Sequence, residues 1–226
     1  MILASLCIGH LQPERRHITM ERSSVHISKM SGKLEGFKAI STNTLTNKFC
    51  IRMNKSNKNT ICSVCYSHTM LNGFRKNTAP ALQRNSDLLS SRSLTKDELP
   101  FIMDSFFRFS AHGELINIQH LANLVEITEH NPHCTFSLWT KRKDYVARLF
   151  SHRAKPANLI LLYSNPKISN ILPEHRIPKY FDKTFNNVLS DEAVSLQNCT
   201  GQKCKDCLLC YKHDTTNIIV EKVKRY

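Results

Sequence analysis

The stretch Phe106–Tyr163 decides the fold, and it reads FFRFSAHGELINIQHLANLVEITEHNPHCTFSLWTKRKDYVARLFSHRAKPANLILLY. Three short apolar runs within it, Phe106–Ala111, Thr135–Trp139 and Leu159–Tyr163, are typical of strands. Two segments between them carry apolar residues at helical spacing: Ile118, Leu121, Leu124, Val125 and Thr128, then Tyr145, Val146, Leu149 and Phe150. This alternation predicts right-handed parallel crossovers and therefore an α/β sheet, either open or curled. We predict the curled form, a partial parallel β/α barrel.

Two further helices are predicted before this stretch. Ala79–Arg92 has Pro80 in its first turn and apolar residues on one face. Thr95–Glu98 has the residue pattern of a capping box, which predicts a second helix through Met103.

The chain divides into three predicted segments. Residues 1–30 lack periodicity and are expected to form a loosely ordered extension, while residues 31–190 form the α/β domain with an N-terminal cysteine motif. Residues 191–226 form a cysteine-rich metal-binding tail packed on that domain. Ser31–Phe49 is predicted as loop and extended segments that deliver Cys50, and PEHRIPKYF, from Pro173, is predicted to be irregular.

Composition limits the partners and the compartment. The 226 residues are 41% hydrophobic, enough for a packed core, and carry a formal charge of +14. That charge favours phosphate-bearing partners such as nucleic acid or a nucleotide, or it serves solubility alone. No apolar run approaches the ~20 residues of a membrane-spanning helix. The start MILASLCIG lacks a basic leader, so we predict a cytoplasmic protein without membrane contact, of unspecified oligomeric state.

Four cysteines within twelve residues, Cys199-x4-Cys204-x2-Cys207-x2-Cys210, predict a metal centre near the carboxyl end. In a reducing compartment closely spaced thiols are more often metal ligands than disulfides. Zinc and iron-sulfur clusters both take four thiolates, but two residues between successive cysteines is the habit of cubane cluster loops. We therefore favour a 4Fe-4S cluster, with Zn2+ or a metal-free loop of free thiols as the alternatives.

A second group, Cys50, Cys62 and Cys65, has no obvious fourth ligand. Three thiolates can hold a cluster while leaving one iron open to a small molecule, so one or two clusters are expected. The alternative is a single structural centre completed by His68, Cys134 or a later cysteine. The two remaining cysteines are predicted to be ordinary thiols: Cys7 and Cys134.

Polar residues follow each of the three predicted strands, where parallel strands place them on one rim. They are Ser110, His112, Gly113 and Glu114, then Thr140, Lys141 and Arg142, then Ser164 and Asn165. Gly113 allows close approach of a ligand to the backbone, Glu114 suits an amine or a pair of hydroxyls, and Lys141 or Arg142 suits a carboxylate or phosphate. The alternative for each is an ordinary loop or solvated helix residue, and Glu114 is the strongest single candidate.

The motifs, in order, resemble the bacteriophage-encoded "gene product eighty-eight" domain family, which occurs in phages and mobile elements. They are CSVCY, RFSAHGEL, NPHCTFSLWTKR, PANLILLYSNP and the final C-x4-C-x2-C-x2-CY, within residues 31–225. The resemblance implies a phage-type protein in the host cytoplasm and names no reaction.

A more distant similarity connects the chain to the radical S-adenosylmethionine enzymes, which use a partial barrel and a three-cysteine 4Fe-4S cluster. The similarity implies the three-cysteine group as cluster ligands, Tyr66 as the nearby aromatic and Gly113 with Glu114 as the segment that binds the cofactor's amine. It also implies an auxiliary cluster at the carboxyl-terminal cysteines. The chain departs from that pattern: eleven residues separate Cys50 from Cys62, Tyr66 follows Cys65, and His112 replaces the first glycine.

We therefore predict an iron-sulfur protein, with a radical S-adenosylmethionine-like enzyme acting on a nucleic acid or nucleotide as its enzymatic form. The rivals are a non-catalytic zinc- or cluster-stabilised protein that binds nucleic acid or a host factor, and a redox-sensing structural protein. The predicted cofactor-binding residues are Tyr66, Ser110, His112, Gly113, Glu114, Thr140, Lys141 and Ser164. The predicted metal ligands are Cys50, Cys62, Cys65, Cys199, Cys204, Cys207 and Cys210.

Overall fold

The computed structural model describes residues 24–56, 58–192 and 194–223. Most of the predicted amino-terminal extension, including Cys7, lies outside the described residues. The strands are β1 (Ser28–Lys29), β2 (Lys38–Ile40), β3 (Phe106–Phe109), β4 (Thr135–Thr140), β5 (Leu159–Ile168), β6 (Lys183–Val188) and β7 (Ile218–Lys222). The α-helices are α1 (Lys48–Ser56), α2 (Tyr66–Asn72), α3 (Ala79–Ser91), α4 (Ile118–His130), α5 (Lys143–Phe150) and α6 (Cys204–Cys207).

The strands form one seven-stranded sheet whose spatial order follows the order of the chain. Strand β1 pairs with β2 antiparallel, and every later neighbouring pair is parallel. The predicted α/β class and parallel sheet are thus confirmed. The sheet is not closed into a barrel, because β1 and β7 are both edges.

The two faces of the sheet are covered differently. Alternate residues of each strand point to opposite faces, so Phe107 and Phe109 of β3 face one way and Arg108 faces the other. The first face packs against α3, α4 and α5 to form the larger apolar core, in which Phe109 stacks on Phe136 at 4.9 Å between ring centroids. The second face is covered by a smaller apolar cluster that includes Tyr211 and contacts the carboxyl-terminal cysteines.

Two predicted helices are confirmed within a residue or two of their ends. Helix α4 begins after Asn117, whose side chain accepts a hydrogen bond from the His120 amide, and α3 carries Pro80 in its first turn. The Thr95–Glu98 capping box also forms. The prediction that it starts a helix through Met103 is wrong, because a single 3-10 turn, Lys96–Glu98, follows it. Pro100 explains the early stop, because it disfavours helical backbone at the residue before it.

Regular structure also occurs where none was predicted. Cys50 is delivered by helix α1 and not by a loop, since Asn47 accepts hydrogen bonds from the amides of Phe49 and Cys50 at the start of that helix. Strand β5 runs five residues beyond its predicted end at Tyr163. Strands β6 and β7 were not predicted, because their polar residues obscure the apolar pattern.

Candidate functional site

A cavity of about 490 Å3 lies on the second face of the sheet and reaches the carboxyl ends of its parallel strands. Its volume is within the ~300–1,000 Å3 typical of small-molecule sites. Residues on its wall come from both cysteine motifs, from the segments after β3 and β4, and from β5, β6 and β7. The folding of the chain therefore brings distant motifs to one enclosed space.

Glu114 is buried beside this cavity, and both oxygens of its carboxylate accept hydrogen bonds. One oxygen accepts from the Thr140 hydroxyl at 2.5 Å and from the Leu115 amide at 2.8 Å, and the other accepts from the Lys141 amide at 2.9 Å. Asn47 donates to the Glu114 carbonyl at 2.8 Å. Because Asn47 also caps α1, the position of Glu114 is tied to the helix that carries Cys50.

Lys141 brings a partly buried positive charge to the same wall. Its ammonium donates to the Ser164 hydroxyl at 2.9 Å, and no carboxylate among the described residues forms an ion pair with it within 4.0 Å. Burial opposes its charge, yet interactions with Cys62, Glu114 and nearby thiols hold the Lys141 pKa above its ordinary value. A partly buried cation without a close carboxylate favours an anionic group of a ligand.

His112 ends a chain of buried hydrogen bonds. The Gly113 amide donates to the Thr44 hydroxyl at 2.9 Å, Thr44 and Ser67 share a hydrogen bond at 2.5 Å, and Ser67 contacts His112 Nδ1 at 2.8 Å. If each hydroxyl donates onward, Nδ1 accepts and the proton lies on Nε2. Burial, aided by Arg75 and Arg108, lowers the His112 pKa to about 4, so the imidazole is neutral at physiological pH.

Gly113 has a φ of +78°, and a Cβ there would stand 2.6 Å from the Thr42 carbonyl oxygen. The space beside this glycine is therefore filled by the β2–α1 connection. Its role in the fold is to let that connection approach the carboxyl end of β3.

We expect Gly113→Ala to lower the free energy of unfolding by roughly 2 kcal/mol or more, because it combines left-handed backbone with a clash against Thr42. Urea unfolding monitored by circular dichroism measures the change. The matched control is Gly32→Ala, since Gly32 also has positive φ, of +65°, but open space around its missing side chain. Equal losses in the two variants would show that the contact with Thr42 does not matter.

The N-terminal thiol set comprises Cys50, Cys62 and Cys65. Cys50 lies on α1, Cys65 precedes α2, and the loop between these helices is fastened to the end of β5 by the Ile61 amide, which donates to Pro166 at 2.9 Å. Burial raises the Cys50 pKa, Glu114 and the other two thiols add to the rise, and Lys141 opposes it. The three thiols are thus close enough to interact electrostatically beside Glu114 and Lys141.

The C-terminal thiol set comprises Cys199, Cys204, Cys207 and Cys210. The Cys199 amide donates to Val220 at 3.0 Å, which aligns the start of this segment with β7. Burial raises the Cys210 pKa, and the other three thiols add to the rise while Arg108 opposes it. Two side chains donate to sulfur: Lys33 to Cys199 at 3.4 Å and Gln202 to Cys207 at 3.3 Å.

The donor chemistry of both sets suits a soft metal centre, because thiolates are the ligands that zinc and iron-sulfur clusters select. Hydrogen bonds to the sulfurs, as from Lys33 and Gln202, also tune such centres. Within the part of the chain that the structure describes, no three His, Cys, Asp or Glu side chains are arranged to hold a metal ion. The residue types therefore fit the predicted centres, whereas the arrangement would have to tighten around a metal.

Most of the predicted site residues meet at the cavity. Its wall includes seven predicted cofactor-binding residues: Tyr66, Ser110, His112, Gly113, Glu114, Lys141 and Ser164. Six of the predicted metal ligands are also on the wall: Cys50, Cys62, Cys65, Cys199, Cys204 and Cys210. Thr140 supports Glu114 from behind, while Arg142 pairs with Asp144 and Asn165 bonds to Asn186, both away from the wall.

Sequence reasoning missed Arg108, Trp139 and Tyr211, which form much of the wall on the sheet. Arg108 had a usable signal, because it is the one charged residue in the otherwise aromatic strand FFRF. A charge at an inward-facing position of a strand predicts a partner on that face. Because this strand was interpreted as an apolar run, the charge of Arg108 was not used in the prediction.

A protein-family model described as Gene product 88 matches residues 32–213. The match includes all five motifs quoted above, from CSVCY to the last cysteine. No curated protein and no solved structure matches the chain. No helix of the described residues is long and apolar enough to cross a membrane.

Proposed function

The chain belongs to the Gene product 88 family, and we propose that it is an iron-sulfur protein that binds a small molecule in the cavity between its two thiol sets. The observation that carries the proposal is the shared wall. Cys50, Cys62 and Cys65 line the cavity together with Glu114 and Lys141, and so do Cys199, Cys204 and Cys210 of the C-terminal thiol set. A purely structural centre would not require a ligand-sized space lined by both sets.

The side chains beside the N-terminal thiol set support a ligand that carries both an amine and an acid group. The Glu114 carboxylate is held rigidly by three donors, and the Lys141 ammonium is held by Ser164. Opposite charges fixed in one wall suit a zwitterion such as the methionine part of S-adenosylmethionine. In this enzymatic form Glu114 binds the amine, Lys141 binds the carboxylate and the apolar wall excludes water.

An iron-sulfur cluster, when bound, would supply the electron that such cofactor chemistry requires. The protein's own contribution is to position and desolvate the ligand. The net charge of +14 supports a phosphate-bearing substrate, nucleic acid or nucleotide, as the second reactant.

The metal content of anaerobically purified full-length chain tests the proposal. We expect brown protein with about four iron and four sulfide per cluster, and one or two clusters per chain. Cys62→Ser is expected to remove the N-terminal centre and Cys204→Ser the C-terminal one. The matched control is Cys134→Ala, because Cys134 is a buried thiol in the helix-covered core, outside both sets.

Zinc in place of iron is the result that would contradict the proposal. Colourless protein with stoichiometric zinc, lost in both serine variants, would exclude the iron-sulfur proposal. It would support the rival zinc-stabilised binding protein, whose thiols replace missing core.

A further inference from the structure

Three buried polar atoms that have no hydrogen-bond partner among the described residues lie together on the second face of the sheet. They are Arg108 Nε, Trp139 Nε1 and the Tyr211 hydroxyl, and all three residues line the cavity. Trp139 and Tyr211 are buried, with 8% and 2% of their surface exposed. An unsatisfied buried polar atom costs ~1–3 kcal/mol, so three on one patch indicate a missing partner.

The three groups are neighbours in space, and the Arg108 guanidinium interacts electrostatically with the Tyr211 hydroxyl. The Arg108 guanidinium carbon lies 3.9 Å from the centre of the Trp139 ring, and the Trp139 and Tyr211 rings are 5.8 Å apart. Phe37 packs against Tyr211 at 4.6 Å between ring centroids, which fixes that ring from the other side. Two aromatic platforms and the sheet therefore prevent the groups from turning toward solvent.

The missing partner must be a hydrogen-bond acceptor. Arginine and the indole nitrogen can only donate, whereas the tyrosine hydroxyl can do either. None of the ion pairs among the described residues includes Arg108, so its charge lacks a carboxylate as well. An anionic oxygen group satisfies the charge and the donors at once.

The charge of the whole wall agrees with this requirement. Five basic residues line the cavity against two acidic ones, and Glu221 is already paired with Lys33. The basic residues are Lys33, Arg75, Arg108, Lys141 and Lys222. A ligand with an anionic group compensates part of this excess in a partly enclosed space.

We propose that Arg108, Trp139 and Tyr211 form an oxyanion subsite that binds the phosphate or carboxylate group of the molecule in the cavity. The subsite lies on the sheet beside the C-terminal thiol set, apart from the Glu114 and Lys141 wall. It rests on the proposed function only in treating the cavity as a ligand site. Trp139 is the only tryptophan in the chain, so its fluorescence reports directly on the subsite.

The experiment titrates the full-length chain with adenosine 5'-monophosphate, adenosine, inorganic phosphate and acetate. Binding is followed by Trp139 fluorescence and by calorimetry. We expect saturable binding of the monophosphate and at least tenfold weaker binding of adenosine. A response to acetate with none to either phosphate would assign the subsite to carboxylates. No saturable response to any anion would overturn the proposal.

Two substitutions separate the subsite from general electrostatics. Arg108→Gln is expected to weaken monophosphate binding at least tenfold. The matched control is Arg75→Gln, which removes the same charge from the same wall. Arg75 differs from Arg108 because its side chain already has a hydrogen-bond partner, Ser31, at 2.6 Å. We expect less than a threefold change there. Equal losses in the two variants would show a diffuse field and no subsite.

Tyr211→Phe keeps the proposal testable if Arg108→Gln does not fold. Removing an unpartnered buried hydroxyl should raise the melting temperature of the ligand-free chain, while binding weakens about threefold to tenfold. A purely structural tyrosine would leave binding unchanged, and that result would exclude Tyr211 from the subsite. Iron content is measured on the same samples to distinguish the iron-sulfur function from the oxyanion subsite. Zinc-loaded protein that still binds the monophosphate would contradict the iron-sulfur function and leave the subsite supported.

Discussion

Lowering the pH from 7 to 4 is expected to reduce the free energy of unfolding by roughly 6 kcal/mol through two buried histidines, about 3 kcal/mol from each. Burial lowers the pKa of both His112 and His120 from 6.5 to about 4. Between pH 6.5 and 4 the unfolded chain therefore binds protons that the folded chain does not, and protons favour unfolding. Stability should be fully present above pH 6.5 and should fall steadily toward pH 4.

Urea unfolding at several pH values in this window measures the slope. His120→Asn is the informative variant, because the asparagine Oδ1 takes the place of His120 Nδ1 and can still accept from the Ile116 amide while the titrating group is gone. In the variant, the free energy of unfolding should change with pH by about 1.4 kcal/mol per pH unit less than in the wild type. The contributions of the other titrating groups cancel when the two proteins are compared. An unchanged slope would mean that His120 titrates normally in the folded protein.

Glu114→Gln is expected to lower the free energy of unfolding by about 3 kcal/mol and to weaken S-adenosylmethionine binding at least tenfold. The amide nitrogen would oppose one of the donors that now meet the carboxylate, from Thr140, Leu115 and Lys141. The variant also removes the carboxylate whose charge helps to hold the Lys141 ammonium. Stability is measured by urea unfolding at pH 7, and binding by calorimetry on anaerobic protein.

Glu126→Gln is the matched control, since Glu126 pairs with Arg153 at 2.8 Å on a more exposed surface. We expect a loss below about 1 kcal/mol there and no change in binding. The iron content of Glu114→Gln should equal that of the wild type, because Glu114 is a ligand-binding residue in the proposal and not a metal ligand. Full affinity in a well-folded Glu114→Gln would exclude our placement of the cofactor.

Local pattern was sufficient to predict the centre of the fold. The strands β3, β4 and β5 and the helices between them appear where apolar spacing changes from strand to helix, because burial on one face imposes that spacing. Strands β6 and β7 were not predicted, because residues such as Lys183 and Thr184 are polar and yet buried. Lys183, for example, pairs with Asp214 at 2.5 Å. Buried polar pairs cannot be inferred from hydrophobicity.

The candidate site was predictable in its residue types but not in its extent. Glu114 and Lys141 follow neighbouring parallel strands, so topology alone brings them together. The partners of the Arg108 patch come from strands and from a tail more than 100 positions away, and no local rule relates them.

The amino-acid sequence by itself determined the α/β alternation, the two sets of soft-metal donors and the rim residues, because each depends on spacing along the chain. Only the tertiary structure decided that cysteines of both thiol sets line one cavity, that the sheet stays open, and that donors without an acceptor among the described residues line the same cavity. The physical reason is that β7 and the cysteine-rich segment join the sheet through backbone hydrogen bonds, as between Cys199 and Val220. Such bonds are available to every residue except proline as a donor, so the pattern of side chains does not specify them.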